Sequence, residues 1–489
     1  MSGTGLRLSF VLVLLVVAGC VAAPVADSDL RGDPVFSDPT DGEPPTTDPG
    51  FADRPLGVVD GYAYDDELGF QTAESLTDDQ LDAVVARTMA RVEYLRGLQF
   101  EEPVPVEVIS REEFRDQLDR DTASAYATWE NQLWRALFHV DEHTDAQSEF
   151  DAVYGGAVQG YYSPADGSVV LVSDDPDRHT VDRLTLAHEL LHALQDQHFG
   201  VSRNTSTIDA SLAGQGIIEG DARYLEHRYE ERCEGGEWEC LDRPPAAGGG
   251  AGSVNLGILL TIYHPYSDGQ AFVHHVRERG GWEAVDAVYD AHPTSTTQVI
   301  HPERYPDEQP VSVAVPDRSA DDWSRFTDLP ERDDPTQTVG EAALYTTFWA
   351  NGVIDSSHLF TADDSIAEYN YSHPITDGWR GDTLVPYRHD DGERFGFVFE
   401  SEWASEEDAV IFAEAYVALL ERRGAEDRGS DTFRIADGES YAGAYHVDRS
   451  GTTVTVVHAP SVGDLDAVHS PRVGVAAGFG GSSPVVAVG

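Results

Sequence analysis

Residues His188-Glu189-Leu190-Leu191-His192 read H-E-x-x-H. On a helix, positions i and i+4 stand one above the other on a single face. Two imidazoles so placed can grip one zinc ion, and Glu189, next to the first, can reach a water held there and take its proton. The surroundings suit a helix. Leu184, Ala187, Leu190, Leu191 and Leu194 form an apolar stripe at helical spacing. Thr180 and Asp182 suit its start and Gly200 its stop. The bland alternative is an amphipathic helix with two solvated histidines. The motif predicts a Zn2+ site with His188 and His192 as ligands and Glu189 as general base.

Such a site needs a third protein ligand. The next helical stretch, 209–232, contains Gly216-Ile-Ile-Glu219-Gly220-Asp221. Glu219 lies 27 residues after His192, room for a loop and the start of a returning helix. Glu219 is the expected ligand. Glu226, two turns later on about the same face, is its rival; if Glu219 is the ligand, Glu226 is expected to be dispensable. Gly214, Gly216 and Gly220 lower helix propensity but are expected to let this helix come close to the HExxH helix. Asp221 or Asp196 is expected to accept a hydrogen bond from a ligand imidazole and fix its tautomer. His301 and Tyr305, with Tyr263 and His264, are candidates for the group that stabilises an oxyanion. Taken singly, each of the four fits a structural role better.

This stretch resembles the gluzincin metallopeptidases, which pair HExxH with a downstream Glu ligand. The wider pattern is similar to a group of uncharacterised, secreted or lipid-anchored zincin-like proteins of bacteria and haloarchaea. The resemblance rests on residues 185–199, on Glu219-Gly-Asp-Ala222, on 293–305 with His301-Pro-Glu-Arg-Tyr305, and on Gly378-Trp-Arg-Gly-Asp382. It implies a peptidase fold more firmly than an activity. Better-known gluzincins often carry an Asp four residues after the ligand Glu. That position is Arg223 here, a departure from the pattern that bears on how a ligand imidazole is oriented.

Composition speaks to the environment. The formal charge is −56 over 489 residues, and all 32 basic residues are Arg. Such charge keeps a chain soluble but strains its compact state through self-repulsion. At molar salt the Debye length falls to about 3 Å, which screens that repulsion. A lysine-free, acid-rich chain therefore reads as the protein of an extreme halophile. Nucleic acid is excluded as a partner because its backbone would be repelled. A disordered acidic chain is also disfavoured, because 20 Tyr, 19 Phe and 8 Trp supply a core.

The N-terminal 20 residues read as a lipoprotein signal peptide. Arg7 precedes a short apolar run that ends in Val17-Ala18-Gly19-Cys20. Cleavage would leave Cys20 as a lipid-bearing terminus on the outer face of the cell membrane. Residues 21–56, rich in Asp, Pro, Gly and Thr, form an acidic tether. Residues 57–312 are expected to be the zincin-like domain. Within it, 77–98 is helical, 104–110 a strand, and 160–172 a hairpin turning at Asp166-Gly167. A Gly/Ala-rich loop covers 245–253, and three helices follow near 256–263, 269–279 and 282–291. Residues 313–489 are expected to form a smaller α+β unit, with a helix at 339–353, a strand at 394–400, a helix at 406–423 and a hairpin around Asp448-Arg-Ser-Gly451. The fold class is α+β. Cys233 and Cys240 are expected to pair in an oxidising compartment.

The expected function is hydrolysis of peptide or protein substrates at the cell surface by a zinc-activated water. The alternatives are a non-catalytic surface binding or structural lipoprotein that keeps the fold, and a solute-binding lipoprotein. The charge generates a prediction. Native circular dichroism should require salt on the order of 1 M or more; its retention in dilute buffer would contradict the screening argument.

Overall fold

The computed structural model describes residues 54–117, 124–175, 179–202, 205–244, 254–320, 322–329, 334–362 and 366–470, with Phe51 and the backbone of Leu14–Val17. The rest of the expected signal peptide, most of the tether and the loop at 245–253 lie outside these residues. Helices and largely antiparallel sheets occupy separate stretches of chain, an α+β arrangement.

The first half is built around one helix, Arg183–Phe199, which carries HExxH. Asp182 caps it by accepting from the Leu184 and Thr185 amides, and Gly200, at φ +71°, ends it. A four-stranded sheet lies on one side in the order Leu14–Val17, Val158–Ser163, Ser168–Ser173, Val106–Ser110. The middle pair is the expected hairpin, turning through Gly167 at φ +62°. In Val158–Ser163 alternate residues are buried, which turns Val158, Gly160 and Tyr162 inward. Gly160 is the point of closest approach. A Cβ there would stand 3.3 Å from Glu189 Cγ and 3.1 Å from Thr185 Cγ2.

On the other side the helix Ile208–Glu234 runs back antiparallel to the HExxH helix, and Leu256–Asp290 packs against it. Of the three helices expected between 256 and 291, the first two are one continuous helix, and the third is set off from it, as expected, by a non-helical kink at Gly280 (φ −152°) and Gly281 (φ +66°). Pro265 sits inside the continuous helix, buried. A proline deprives a helix of one hydrogen bond, and packing along both flanks outweighs that loss. The glycine face also packs differently from expectation. Gly216 and Gly220 meet the long helix, not the HExxH helix: a Cβ on Gly220 would lie 2.2 Å from the Gly269 carbonyl oxygen, and one on Gly269 would lie 2.4 Å from that of Gly216. Glu219 is one residue before Gly220, about 100° round the helix. With Glu219 turned to HExxH, the glycines are left to face the neighbour on the next side.

The second half is a seven-stranded antiparallel sheet in the order Glu426–Gly429, Thr432–Ile435, Gly443–Ser450, Thr453–Ala459, Phe395–Trp403, Trp379–His389, Trp323–Arg325. Helix Glu406–Arg422 covers it through Phe412, Tyr416 and Leu419. Its apolar cluster runs across position 313, because Trp129, Leu133 and Trp134 of Ala125–Ala136 and Ile258 and Leu260 of the long helix belong to it. Helix Ala125–Ala136 and strand Trp379–His389 were not anticipated. The strand starts at a bulge and carries a proline, which blurs its alternation.

Arginine is used internally. Arg87, Arg91 and Arg96 are no more than 1% exposed. Arg96 bridges Asp221 (2.9 Å) and Asp286 (2.6 Å) and lies over the Trp282 ring. Cys233 and Cys240 are disulfide-bonded, as expected. Among the described residues no helix is long and apolar enough to cross a membrane.

The glycine contact generates a prediction. Gly220→Ala puts a methyl group where a backbone carbonyl stands, and backbone cannot rotate away as a side chain can. Stability should fall by about 3 kcal/mol, the upper range for overpacking, whereas Gly214→Ala, with open space around it, should be near neutral. Urea unfolding at constant molar salt measures both.

Candidate metal centre

His188, His192 and Glu219 come together in the structure. Both imidazole Nε2 atoms face the same carboxylate oxygen, Glu219 Oε2, at 3.2 Å from His188 and 3.3 Å from His192. The three side chains are at most 2% exposed. One ligand atom from each lies within 4.8 Å of the others, the spread that a single cation can span.

The antiparallel helix pair sets this geometry. Each step forward along Arg183–Phe199 meets a step back along Ile208–Glu234. Arg183 Nη2 pairs with Glu230 (2.7 Å), His188 Nδ1 with Glu226 Oε1 (2.5 Å), and Gln195 Nε2 donates to the Ile218 carbonyl (3.0 Å). Gln195 Oε1 in turn lies 2.8 Å from His192 Nδ1. Each imidazole therefore turns its Nε2 inward because its Nδ1 is held from behind. Such partners fix tautomer and ring angle at metal sites.

This changes the role of Glu226. It does not compete with Glu219; it holds the back of His188. Asp221 and Asp196 do neither. Asp221 accepts from Arg96 and from the Tyr289 hydroxyl (2.8 Å), and Asp196 from the Tyr162 hydroxyl (2.9 Å) and the Val201 amide. Arg223, the departure from the gluzincin pattern, donates to Glu226 Oε2 at 2.6 Å and also pairs with Glu368. An Arg one helical turn before the carboxylate thus anchors the group that orients the imidazole.

Glu189 lies fully buried; its carboxylate oxygens have no side-chain hydrogen-bond partner, and the Tyr162 backbone amide approaches them. Burial pushes its pKa well above the carboxylate range, opposed by His188 and reinforced by Glu219 and Glu226. Burial would lower His188, but Glu226 and Glu219 on its two nitrogens win and raise it. Burial would raise Glu219, but the charge of His192 and hydrogen bonds from both imidazoles bring it down. The two carboxylates thus converge on His188, one at each ring nitrogen. Glu189 is left without a comparable partner, a buried carboxylate beside a pair of imidazoles and a third donor. That donor set, two nitrogens and one oxygen, fits zinc.

The four expected oxyanion-stabilising candidates are engaged elsewhere. His301 faces Glu341 at 2.9 Å, the Tyr305 hydroxyl donates to the Ala291 carbonyl, the Tyr263 hydroxyl donates to Glu368, and His264 packs on Tyr371. The residue beside the centre is Tyr266, missed in the sequence. Its ring stacks on His188 at 6.1 Å and 13°, and its phenol hydrogen-bonds to Glu219. Burial, then the charges of Glu219 and Glu189, push its pKa well up, so it stays a donor. The signal lay in the spacing: Tyr263 and Tyr266 are three apart on one helix face, so a reading that points to one points equally to the other.

Residues 325–469 match a family described as a domain of unknown function (DUF8575). The match takes in nearly the whole seven-stranded sheet and none of the HExxH region. No curated protein and no solved structure shows significant similarity to the chain.

The orienting carboxylate generates a prediction. Glu226→Gln should keep the fold and weaken zinc binding 10- to 100-fold, the usual effect of losing such a partner, measured by competition with a chromophoric chelator. Unchanged affinity would remove Glu226 from the site.

Proposed function

We propose that the protein is a zinc-dependent peptidase of the gluzincin type, lipid-anchored on the outer face of the cell membrane. One observation carries this reading: two imidazoles of an HExxH helix converge on one oxygen of Glu219 while Glu189 stands beside them, buried and with no side-chain partner. A purely structural helix gains nothing from burying a carboxyl group that no side chain pairs with.

His188, His192 and Glu219 would hold the ion. When bound, zinc supplies a Lewis acid that polarises a carbonyl and acidifies water. Glu189 takes the proton of the attacking water and returns it to the leaving amine. A cation beside it would favour its ionised form and reverse the effect of burial. Tyr266 is placed to donate its hydroxyl to the carbonyl oxygen as that oxygen gains charge. Extended peptide has a natural seat along Val158–Ser163, next to Glu189. The edge of that strand is paired antiparallel with the backbone of Leu14–Val17, Leu14 opposite Tyr162 and Val17 opposite Val158. Removal of the leader frees this edge for main-chain pairing with substrate.

Two measurements test the reading. Glu189→Gln should keep about one zinc per chain at this centre and lose roughly 10²–10⁴-fold in rate on a mixed peptide library in molar salt. Zinc-loaded wild type that cleaves nothing, with Glu189→Gln unchanged in every respect, would transfer the case to a non-catalytic surface protein. Cys20→Ser should shift the mature chain from the membrane fraction to the medium or stall its processing; fractionation like wild type would remove the anchor.

A further inference from the structure

The motifs 293–305 and 378–382 are not used by the HExxH centre. They converge on a second group of polar side chains. His301 follows the short helix Thr296–Ile300, Glu341 lies in the first turn of Gly340–Ala350, and Asp377 precedes the strand Trp379–His389. His301 Nε2 stands 2.9 Å from Glu341 Oε1 and 3.8 Å from Asp377 Oδ1, and one ligand atom of each lies within 4.8 Å of the others.

The surroundings hold these three segments firmly. Asp209 accepts from the amide and hydroxyl of Thr296 (2.8 and 2.7 Å), and the Thr296 hydroxyl accepts from the Ala342 amide (3.2 Å). Asp382 accepts from the Val339 and Gly340 amides and from Trp379 Nε1 (2.7, 2.9 and 2.8 Å). Ser372 donates to Asp377 Oδ1 at 3.1 Å. The cluster itself is less well satisfied. Glu341 is 0% exposed, and its second oxygen, Oε2, is buried with no hydrogen-bond partner. Asp268 Oδ2 is likewise buried and unpartnered, and Asp268 is close enough to Glu341 to repel it. Glu341 Oε2 and Asp268 Oδ2 are thus two buried oxygens left unsatisfied beside one imidazole, with Arg304 also close enough to act on that ring, and a divalent ion would give Glu341 a partner.

We propose that His301, Glu341 and Asp377 form a second metal site, specific for a divalent transition-metal ion. One imidazole with two carboxylates suits Zn2+ or Mn2+; Ca2+ and Mg2+ take all-oxygen shells, in which a nitrogen is a poor ligand. Asp377, about a third exposed, leaves room for water to complete the shell. The site is structural in its consequence. Glu341 and Asp377 belong to the 325–469 segment and His301 does not, so the ion ties that segment to the helices of the first half. Its residues are separate from His188, His192 and Glu219, so the proposal stands or falls independently of the peptidase reading.

The test is a metal count on the full chain in molar KCl, stripped with chelator, equilibrated with Zn2+ and dialysed, with circular dichroism confirming each fold. Wild type should hold two ions, His192→Ala one, Asp377→Asn one, and the double variant none. If Asp377→Asn and His301→Ala bind as many ions as wild type, or wild type binds a single ion that His192→Ala abolishes, the second site is overturned. Should the His301 variant unfold, wild-type crystals grown with Zn2+ decide. An anomalous-scattering peak between His301 Nε2 and the two carboxylates supports the site, and its absence there beside a peak at His188 and His192 rejects it.

Discussion

The pairing of His188 with two carboxylates, one on each ring nitrogen, is the contact on which the first half of the molecule is organised. It works because two helices run antiparallel in a register that brings Arg183 to Glu230, His188 to Glu226 and Gln195 to Ile218. Slipping the returning helix by one turn would leave Glu219 buried without its imidazole partners, at several kcal/mol, and would take Glu226, still paired with Arg223, away from His188. The hairpin strand above and the long helix behind both pack on this pair: one supplies Gly160 over Glu189, the other sets Tyr266 against His188. Register, more than any single bond, is what the surrounding apolar core preserves.

The unusual charge balance has an internal counterpart. With 88 acidic against 32 basic residues, carboxylates outnumber guanidinium groups by almost three to one. Several arginines lie at junctions: Arg96 between two aspartates beneath Trp282, Arg54 on Glu93, and Arg223 on Glu226. Guanidinium suits this work because its planar fork of donors satisfies several acceptors at once and stacks on rings. The absence of lysine leaves these positions untouched. Salt can therefore screen the exterior while the interior pairs, shielded from it, stay strong.

How much of this was legible depended on whether the signal was local. The HExxH helix, its Asp182 cap and Gly200 stop, the hairpin at Gly167 and the Cys233–Cys240 bond follow from neighbours in sequence, and the structure has each of them. The spacing also singled out Glu219, and the structure brings it against both imidazoles. What failed to show was relational. Glu226 and Glu219 are alike in composition and separated by two turns; only the register of the facing helix assigns one to the front of His188 and the other to its back. The glycines announced a close approach without naming the partner. The gap expected between the helices at 256–263 and 269–279 is absent, the helix running on through Pro265, and Arg223 read as a missing carboxylate although it positions one.

The contact of Gly216 and Gly220 with Gly269 has a mechanical meaning. Elsewhere helices are spaced by side chains, which can change rotamer and let the gap breathe. Here main chain rests on main chain, and there is nothing to compress or swing aside. The helix carrying Glu219 and the helix carrying Tyr266 are thereby held at a fixed gauge, like two rails bolted to one sleeper. Any loosening from heat or from changing salt would have to come from motion of the pair as a unit. The tolerance of the centre to its surroundings is thus set several ångströms from it, by three residues that carry no side chain at all.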